Sequence, residues 1–168
     1  MLSITHIIVT LFLIQVLTLD RNDAFVALLF GVFIDLDHLF GLVKYTHLNG
    51  VASIFDFHSL MNPGGQWKSM LHLPIAAAIV TPLSFAFRLG IPLLFWAVHL
   101  LMDFVEQNYL GNFSGVEAGL LLFSGLGLVT LRYGRFILSN DAPSWGIYLR
   151  QEVAEVRSLL RPNPKTAF

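Results

Sequence analysis

Five apolar segments follow one another along the chain, with short polar stretches between them. They cover residues 2–19, 24–43, 69–87, 90–105 and 117–131. Because a helix needs about 20 mostly apolar residues to cross a bilayer, this pattern predicts about five transmembrane helices. The first segment lacks the basic start and the small-residue cleavage site of a secretory signal, so we interpret it as a span. The fifth extends to Leu138 if Arg132 and Arg135 reach the membrane surface.

The end of the chain has a different pattern. From Ser144 onwards, apolar residues recur at steps of three and four, and charged residues lie between them. This spacing predicts an amphipathic helix on the membrane surface, ended by Pro162 and Pro164. We therefore predict an all-α protein in two parts. Residues 1–138 form a transmembrane helical domain, and residues 139–168 form an amphipathic helix and tail.

Composition supports an integral membrane protein that interacts with membrane lipid. Of the 168 residues, 55% are hydrophobic and 12% are charged, against about 25% charged in soluble proteins. The net charge of −1 gives no indication of nucleic-acid binding. The absence of cysteine excludes disulfides, thiolate nucleophiles and cysteine-type zinc sites.

Basic residues near the span ends predict the orientation. They concentrate towards the end of the chain, at Arg132, Arg135, Arg150, Arg157, Arg161 and Lys165. Cytoplasmic segments carry the excess of Lys and Arg, so we place the C-terminal tail in the cytoplasm and the protein in the cytoplasmic (inner) membrane. With five spans, the N-terminus and the polar loops over residues 44–68 and 106–116 then lie on the outer side.

Ionisable residues interrupt four of these apolar segments. A charged side chain at the centre of a membrane helix costs about 2.5–3.5 kcal/mol, so such residues usually meet a partner, a metal ion or water. In the five-span arrangement they all lie near the outer face. Imidazoles and carboxylates are metal ligands, and the candidate ligands are His6, Asp35, His38, His72, His99 and Asp103.

Helical spacing adds detail to this set. His99 and Asp103 are four residues apart and share one helix face. Asp37 points away from Asp35 on a regular helix, so it joins the cluster only if the helix ends or distorts there. Glu106 continues the face of His99 and Asp103. We therefore consider Asp37 and Glu106 as catalytic acid/base residues that orient water.

Four short motifs resemble those of the YdjM-like family of membrane-bound metal-dependent hydrolases. They are Thr5-His6, Ile34-Asp35-Leu36-Asp37-His38, the third-segment histidine His72, and His99-Leu100-Leu101-Met102-Asp103. The resemblance covers about residues 1–110. The third motif departs from the family pattern His-Arg-x-x-Thr-His-Ser, because Trp67 and Lys68 occupy the positions of its first histidine and its arginine. His58, in the preceding loop, either replaces the missing histidine or is simply solvated.

The resemblance implies a hydrolase, and the ligand types favour zinc. We expect one or two Zn²⁺ ions, or another divalent metal, and a phosphoester or lipid-like substrate at the outer face, where headgroups lie. Two alternatives stay open. One is a non-catalytic metal transporter or sensor. The other is a structural subunit of a membrane complex whose site is degenerate, which the altered third motif would suit.

Overall fold

A computed structural model describes residues 3–37, 46–47, 50, 70–110, 114–141 and 143–160. Every regular element in these ranges is helical, which confirms the all-α prediction. The α-helices are α1 (Ser3–Val16), α2 (Arg21–Gly31), α3 (Ala77–Ser84), α4 (Ile91–Val105), α5 (Gly115–Ser139) and α6 (Trp145–Leu160). Short 3₁₀ segments cover Phe33–Asp37, Met70–His72, Pro74–Ala76 and Arg88–Gly90, and a π-helical segment, Glu106–Leu110, follows α4.

Two helices in the described ranges are long and apolar enough to cross a membrane. They are Arg88–Leu110, which contains α4, and Gly115–Ser139, which is α5. They correspond to the fourth and fifth predicted spans. The helices within the first three predicted spans are shorter, with 14 residues in α1, 11 in α2 and 8 in α3. The five-span arrangement and the cytoplasmic tail therefore stay predictions.

Local sequence explains where α2 begins and ends. The Asp20 carboxylate accepts hydrogen bonds from the backbone N–H groups of Asn22 and Asp23, both at 2.9 Å, which satisfies two donors of the first turn. The helix ends at Gly31, because Val32 leaves the helical conformation with φ −136°. The 3₁₀ segment Phe33–Asp37 then turns the chain, and Asp35 lies within it.

The helix α1 packs most extensively against α5 and also contacts α2. Gly127 allows the close approach to α5, because a Cβ atom there would lie 2.6 Å from the Phe12 ring. At one end, the Thr5 hydroxyl donates a hydrogen bond to the buried Glu117 carboxylate at 2.9 Å. At the other, Arg135 donates to the Gln15 side chain at 2.6 Å. The two helices therefore run in the same direction, as the first and fifth spans of a five-span protein would.

Two apolar clusters hold the remaining helices together. One joins the end of α1 to the middle of α2 and the start of α4 through Ile14, Val26, Ala27, Ile91 and Phe95. The other joins the 3₁₀ segment after α2 to α3 and α4 through Ile34, Ala76, Val80 and Trp96. Ser84 also links α3 to α4, since its hydroxyl accepts a hydrogen bond from the Leu93 backbone N–H at 2.8 Å. The second cluster lies directly beside the polar residues that interrupt the apolar segments.

The last helix, α6, contacts the C-terminal half of α5. Arg132 of α5 pairs with Glu152 and Glu155 of α6, both at 3.0 Å. The rings of Tyr133 and Trp145 stack with their centroids 3.8 Å apart. The helix predicted from Ser144 onwards is confirmed as Trp145–Leu160. Its placement on the cytoplasmic membrane surface stays a prediction.

Candidate metal centre

Four ligand atoms from three separate segments converge on one point. They are the Nε2 atoms of His72 and His99 and one carboxylate oxygen each of Asp35 and Asp103. Such atoms of these four residues lie within 4.8 Å of one another. Asp35 comes from the turn after α2, His72 from the 3₁₀ segment before α3, and the other two from α4. This group could hold a metal ion.

The five separations that involve a histidine suit a tetrahedral ion. With bonds of about 2.0–2.1 Å, such an ion holds its ligand atoms about 3.3 Å apart. The two Nε2 atoms are 3.2 Å apart. Asp35 Oδ1 lies 3.1 Å from His99 Nε2 and 3.5 Å from His72 Nε2. Asp103 Oδ2 lies 3.4 Å and 3.7 Å from the same two atoms.

A backbone carbonyl orients His99. Its Nδ1 lies 3.1 Å from the Gly31 carbonyl oxygen. Because a carbonyl oxygen only accepts, Nδ1 carries the hydrogen and donates it. In the neutral ring, Nε2 then keeps its lone pair, and it faces the other three ligand atoms. Metal-bound histidines usually donate their second ring N–H in this way, which fixes the tautomer and the direction of the ring.

Packing holds the other two segments against α4. The Trp96 indole N–H donates to the Leu71 carbonyl oxygen at 2.9 Å, next to His72 in the chain. Ile34, next to Asp35, is buried in the cluster that contains Trp96. Each polar residue is therefore adjacent to a residue fixed in the apolar interior. This support places the ligand atoms without relying on the ion itself.

The arrangement needs positive charge at its centre. In the neutral tautomer described above, the lone pair of His99 Nε2 faces carboxylate oxygens of Asp35 and Asp103 at 3.1 Å and 3.4 Å. Such groups repel one another unless a proton or a metal ion lies between them. One divalent cation would balance the two carboxylate charges, with both imidazoles neutral. The side chains of His72 and His99 are 5% and 0% exposed, whereas those of Asp35 and Asp103 are 23% and 17% exposed.

His6 lies against this group but outside the four atoms. Its ring stacks on His99 with the centroids 4.1 Å apart. Its Nε2 is 3.3 Å from Asp103 Oδ1, and its Nδ1 is 4.0 Å from Asp35 Oδ2. These are the carboxylate oxygens that do not face His72 and His99. The side chain is 1% exposed.

The structure places the other candidates in different ways. Asp37 ends the 3₁₀ segment Phe33–Asp37. Its side chain, together with all of His38, His58, Trp67 and Lys68, lies outside the described residues. Glu106 is half-buried and begins the π-helical segment directly after α4. It is not one of the four grouped ligand residues, and such segments often occur at functional sites.

The sequence did not indicate the roles of two residues, Glu117 and Gly31. Glu117, 3% exposed, was interpreted only as the start of the fifth span. The Ser114-x-x-Glu117 pattern does indicate a helix start, since the Ser114 hydroxyl accepts from the Glu117 N–H at 3.1 Å. The carboxylate, however, accepts from Thr5 on α1, a contact that the local pattern does not encode. The Gly31 carbonyl accepts from His99 only because α2 packs against α4, which the local pattern does not encode either.

Comparison with known proteins finds no match among protein-family models, curated proteins or solved structures.

Proposed function

We propose that this protein is a membrane-embedded, metal-dependent hydrolase with Zn²⁺ as the favoured ion. The four convergent ligand atoms of Asp35, His72, His99 and Asp103 are the observation that carries the proposal. The five separations that involve a histidine, 3.1–3.7 Å, match the edges of a tetrahedral shell. The ligands are borderline or hard donors of the kind that zinc accepts.

A bound zinc ion would supply Lewis-acid activation of water and of a phosphoryl oxygen. The protein's own residues would do the rest. His72 and His99 would hold the ion through Nε2, and the Gly31 carbonyl keeps His99 in the tautomer that this requires. The partly exposed carboxylates of Asp35 and Asp103 form the accessible side of the site. We propose Glu106 and Asp37 as the residues that orient water or accept its proton.

A phosphoester is the substrate class that we favour. In the predicted five-span arrangement the centre lies near the outer face, at the depth of lipid headgroups. The predicted outer loop contains Lys44 and Lys68, whose charges suit an anionic group. The proposed membrane location is supported by the two long apolar helices. The resemblance of the motifs to the YdjM-like hydrolases supports the reaction class.

The alternatives are a metal transporter or sensor, and a structural subunit of a membrane complex. A transport path would place ligands at several depths, whereas the described ligands converge on one point. The departure of Trp67 and Lys68 from the family motif favours a degenerate site. Neither alternative predicts hydrolysis of a substrate, so a measurement of turnover distinguishes them from the hydrolase.

Turnover can be measured with the detergent-purified protein. We expect the zinc-loaded protein to hydrolyse bis-(p-nitrophenyl) phosphate or phosphatidic acid in mixed micelles. His99→Ala should reduce the rate by about 100-fold or more, since even the loss of a group that orients a ligand typically costs 10–100-fold, and this change removes the ligand itself. The rate is measured by release of p-nitrophenol or of phosphate.

His47→Ala is the matched control, because His47 is exposed and lies outside the group of ligands. It should turn over at the wild-type rate. If zinc-loaded wild type hydrolyses neither substrate faster than His99→Ala does, the metal-binding but non-catalytic alternatives replace the hydrolase.

A further inference from the structure

In both Asp35 and Asp103, one carboxylate oxygen faces His99 and the other faces His6. Asp35 Oδ1 and Asp103 Oδ2 face His99, at 3.1 Å and 3.4 Å. Asp35 Oδ2 and Asp103 Oδ1 face His6, at 4.0 Å and 3.3 Å. A carboxylate that serves one ion with one oxygen can bridge to a neighbouring ion with the other. Two bridging carboxylates therefore define a second position beside the first.

The nitrogens of His6 are buried without hydrogen bonds. Neither Nδ1 nor Nε2 has a hydrogen-bond partner among the described residues, although both are within 4.0 Å of carboxylate oxygens. The His6 side chain is 1% exposed, so water does not readily satisfy it. A buried polar atom without a partner is costly, and it commonly marks an ion or ligand site. An imidazole binds an ion through one nitrogen, and Nε2 is the His6 nitrogen that lies nearer to a carboxylate oxygen, at 3.3 Å from Asp103 Oδ1.

The stacking of His6 on His99 fits two adjacent ions. Their rings are 4.1 Å apart and inclined by 24°. The ions of two-metal sites lie about 3.5–4 Å apart, and the separation of the two rings is of the same size. The described ligands therefore divide into two sets that share only the carboxylates.

We propose that His6, Asp35 Oδ2 and Asp103 Oδ1 form a second divalent-cation position beside the one held by His72 and His99. The second position depends on the proposed first one, because the two share both carboxylates. Among the described side chains, the first ion already balances the two carboxylate charges. The second ion therefore adds net positive charge, which suits an anionic phosphoester and predicts that this position fills after the first.

Cobalt binding to the metal-free protein tests the second position. Co²⁺ is added stepwise, bound metal is measured by equilibrium dialysis, and electron paramagnetic resonance follows the spins. Wild type should bind two equivalents, and the signal should fall as the second binds, because bridged ions about 3.5–4 Å apart are magnetically coupled. The pair is thus detected without measuring activity.

His6→Phe is the decisive variant. Phenylalanine keeps an aromatic ring against His99 but removes both nitrogens. This variant should bind one equivalent and give an uncoupled signal, and binding of that equivalent also shows that the site is folded. His47→Ala, at an exposed position, should behave as wild type.

The outcomes separate the second position from the first. Wild type that saturates at one equivalent, or His6→Phe that still binds two coupled ions, overturns the second position and leaves the first intact. Wild type that binds no cobalt overturns both. Loss of only the second ion in His6→Phe supports the assignment.

Discussion

Chelation of metal from the purified protein is expected to lower its melting temperature by roughly 10 °C. An ion that binds only the folded state at about 1,000 times its dissociation constant adds about 4 kcal/mol, and 1 kcal/mol shifts the midpoint by about 2–4 °C at this size. Without the ion, the carboxylates of Asp35 and Asp103 lie close together among buried histidines. Thermal unfolding with and without chelator, at fixed detergent and ionic strength, measures the shift.

Asp103→Asn and His47→Ala make this measurement specific. The amide keeps the shape of Asp103 but is a poor ligand, so chelator should change the melting temperature of this variant much less. His47 is exposed, and His47→Ala should retain the full shift. An equal chelator effect in wild type and Asp103→Asn would show that the ion responsible lies elsewhere.

Gly31→Ala is expected to destabilise the protein by about 1–3 kcal/mol, as overpacking of a core does. A Cβ atom at this position would lie 2.6 Å from Thr10 Oγ1 and 3.2 Å from a ring carbon of Phe95. The methyl group would separate α2 from α1 and α4. It would also displace the Gly31 carbonyl, which accepts from His99 Nδ1 at 3.1 Å. Metal affinity should therefore fall together with stability, which calorimetry and zinc titration can follow on one sample.

Gly134→Ala provides the comparison within a helix. A Cβ atom at Gly134 meets nothing within 4 Å, so this change should leave stability equal or raise it by up to about 1 kcal/mol. If Gly31→Ala is as stable as Gly134→Ala and binds zinc equally well, the close approach of α1, α2 and α4 is not what orients His99.

Helix type could be predicted from the sequence, whereas helix length could be predicted only in part. The predicted extension of the fifth segment to Leu138 is confirmed, since that helix ends at Ser139. The fourth and fifth apolar segments are the shortest, yet they lie in the two longest helical stretches of the described ranges, Arg88–Leu110 and Gly115–Ser139. Polar residues extend both, since Glu106–Leu110 continues α4 as a π-helix and α5 includes Arg132 and Arg135. The length of an apolar segment in the sequence leaves out such polar residues.

Breaks in the earlier segments have local causes that a hydrophobic pattern hides. The chain leaves α1 near Thr18, which adopts φ 49°. It leaves α2 at Val32, and α3 contains Pro82 in its interior. These departures also build the site. Asp35 lies in a 3₁₀ segment after the end of α2, and His72 lies in one before α3. From the sequence, Asp37 could join the ligand cluster only if the helix ended or distorted near it. The chain does change from α-helix to 3₁₀-helix just before Asp35.

Candidate ligands were predictable because they interrupt apolar segments, and most specifically where a single helix carries two of them. His99 and Asp103 share a face of α4, and their side chains are 3.4 Å apart. The grouping of Asp35 and His72 with them follows from the packing of three segments, which spacing alone cannot specify. The division of the carboxylate oxygens between His99 and His6 is likewise a tertiary feature. It depends on how the fold orients both oxygens of Asp35 and Asp103.

The zinc content of the protein after equilibrium dialysis tests the central claim most directly. Wild type, dialysed against buffered micromolar zinc and measured by mass spectrometry of the metal, should retain at least about one equivalent, while His99→Ala retains far less. Retention below about a tenth of an equivalent by folded wild type, or equal retention by His99→Ala, would contradict a metal centre built from Asp35, His72, His99 and Asp103.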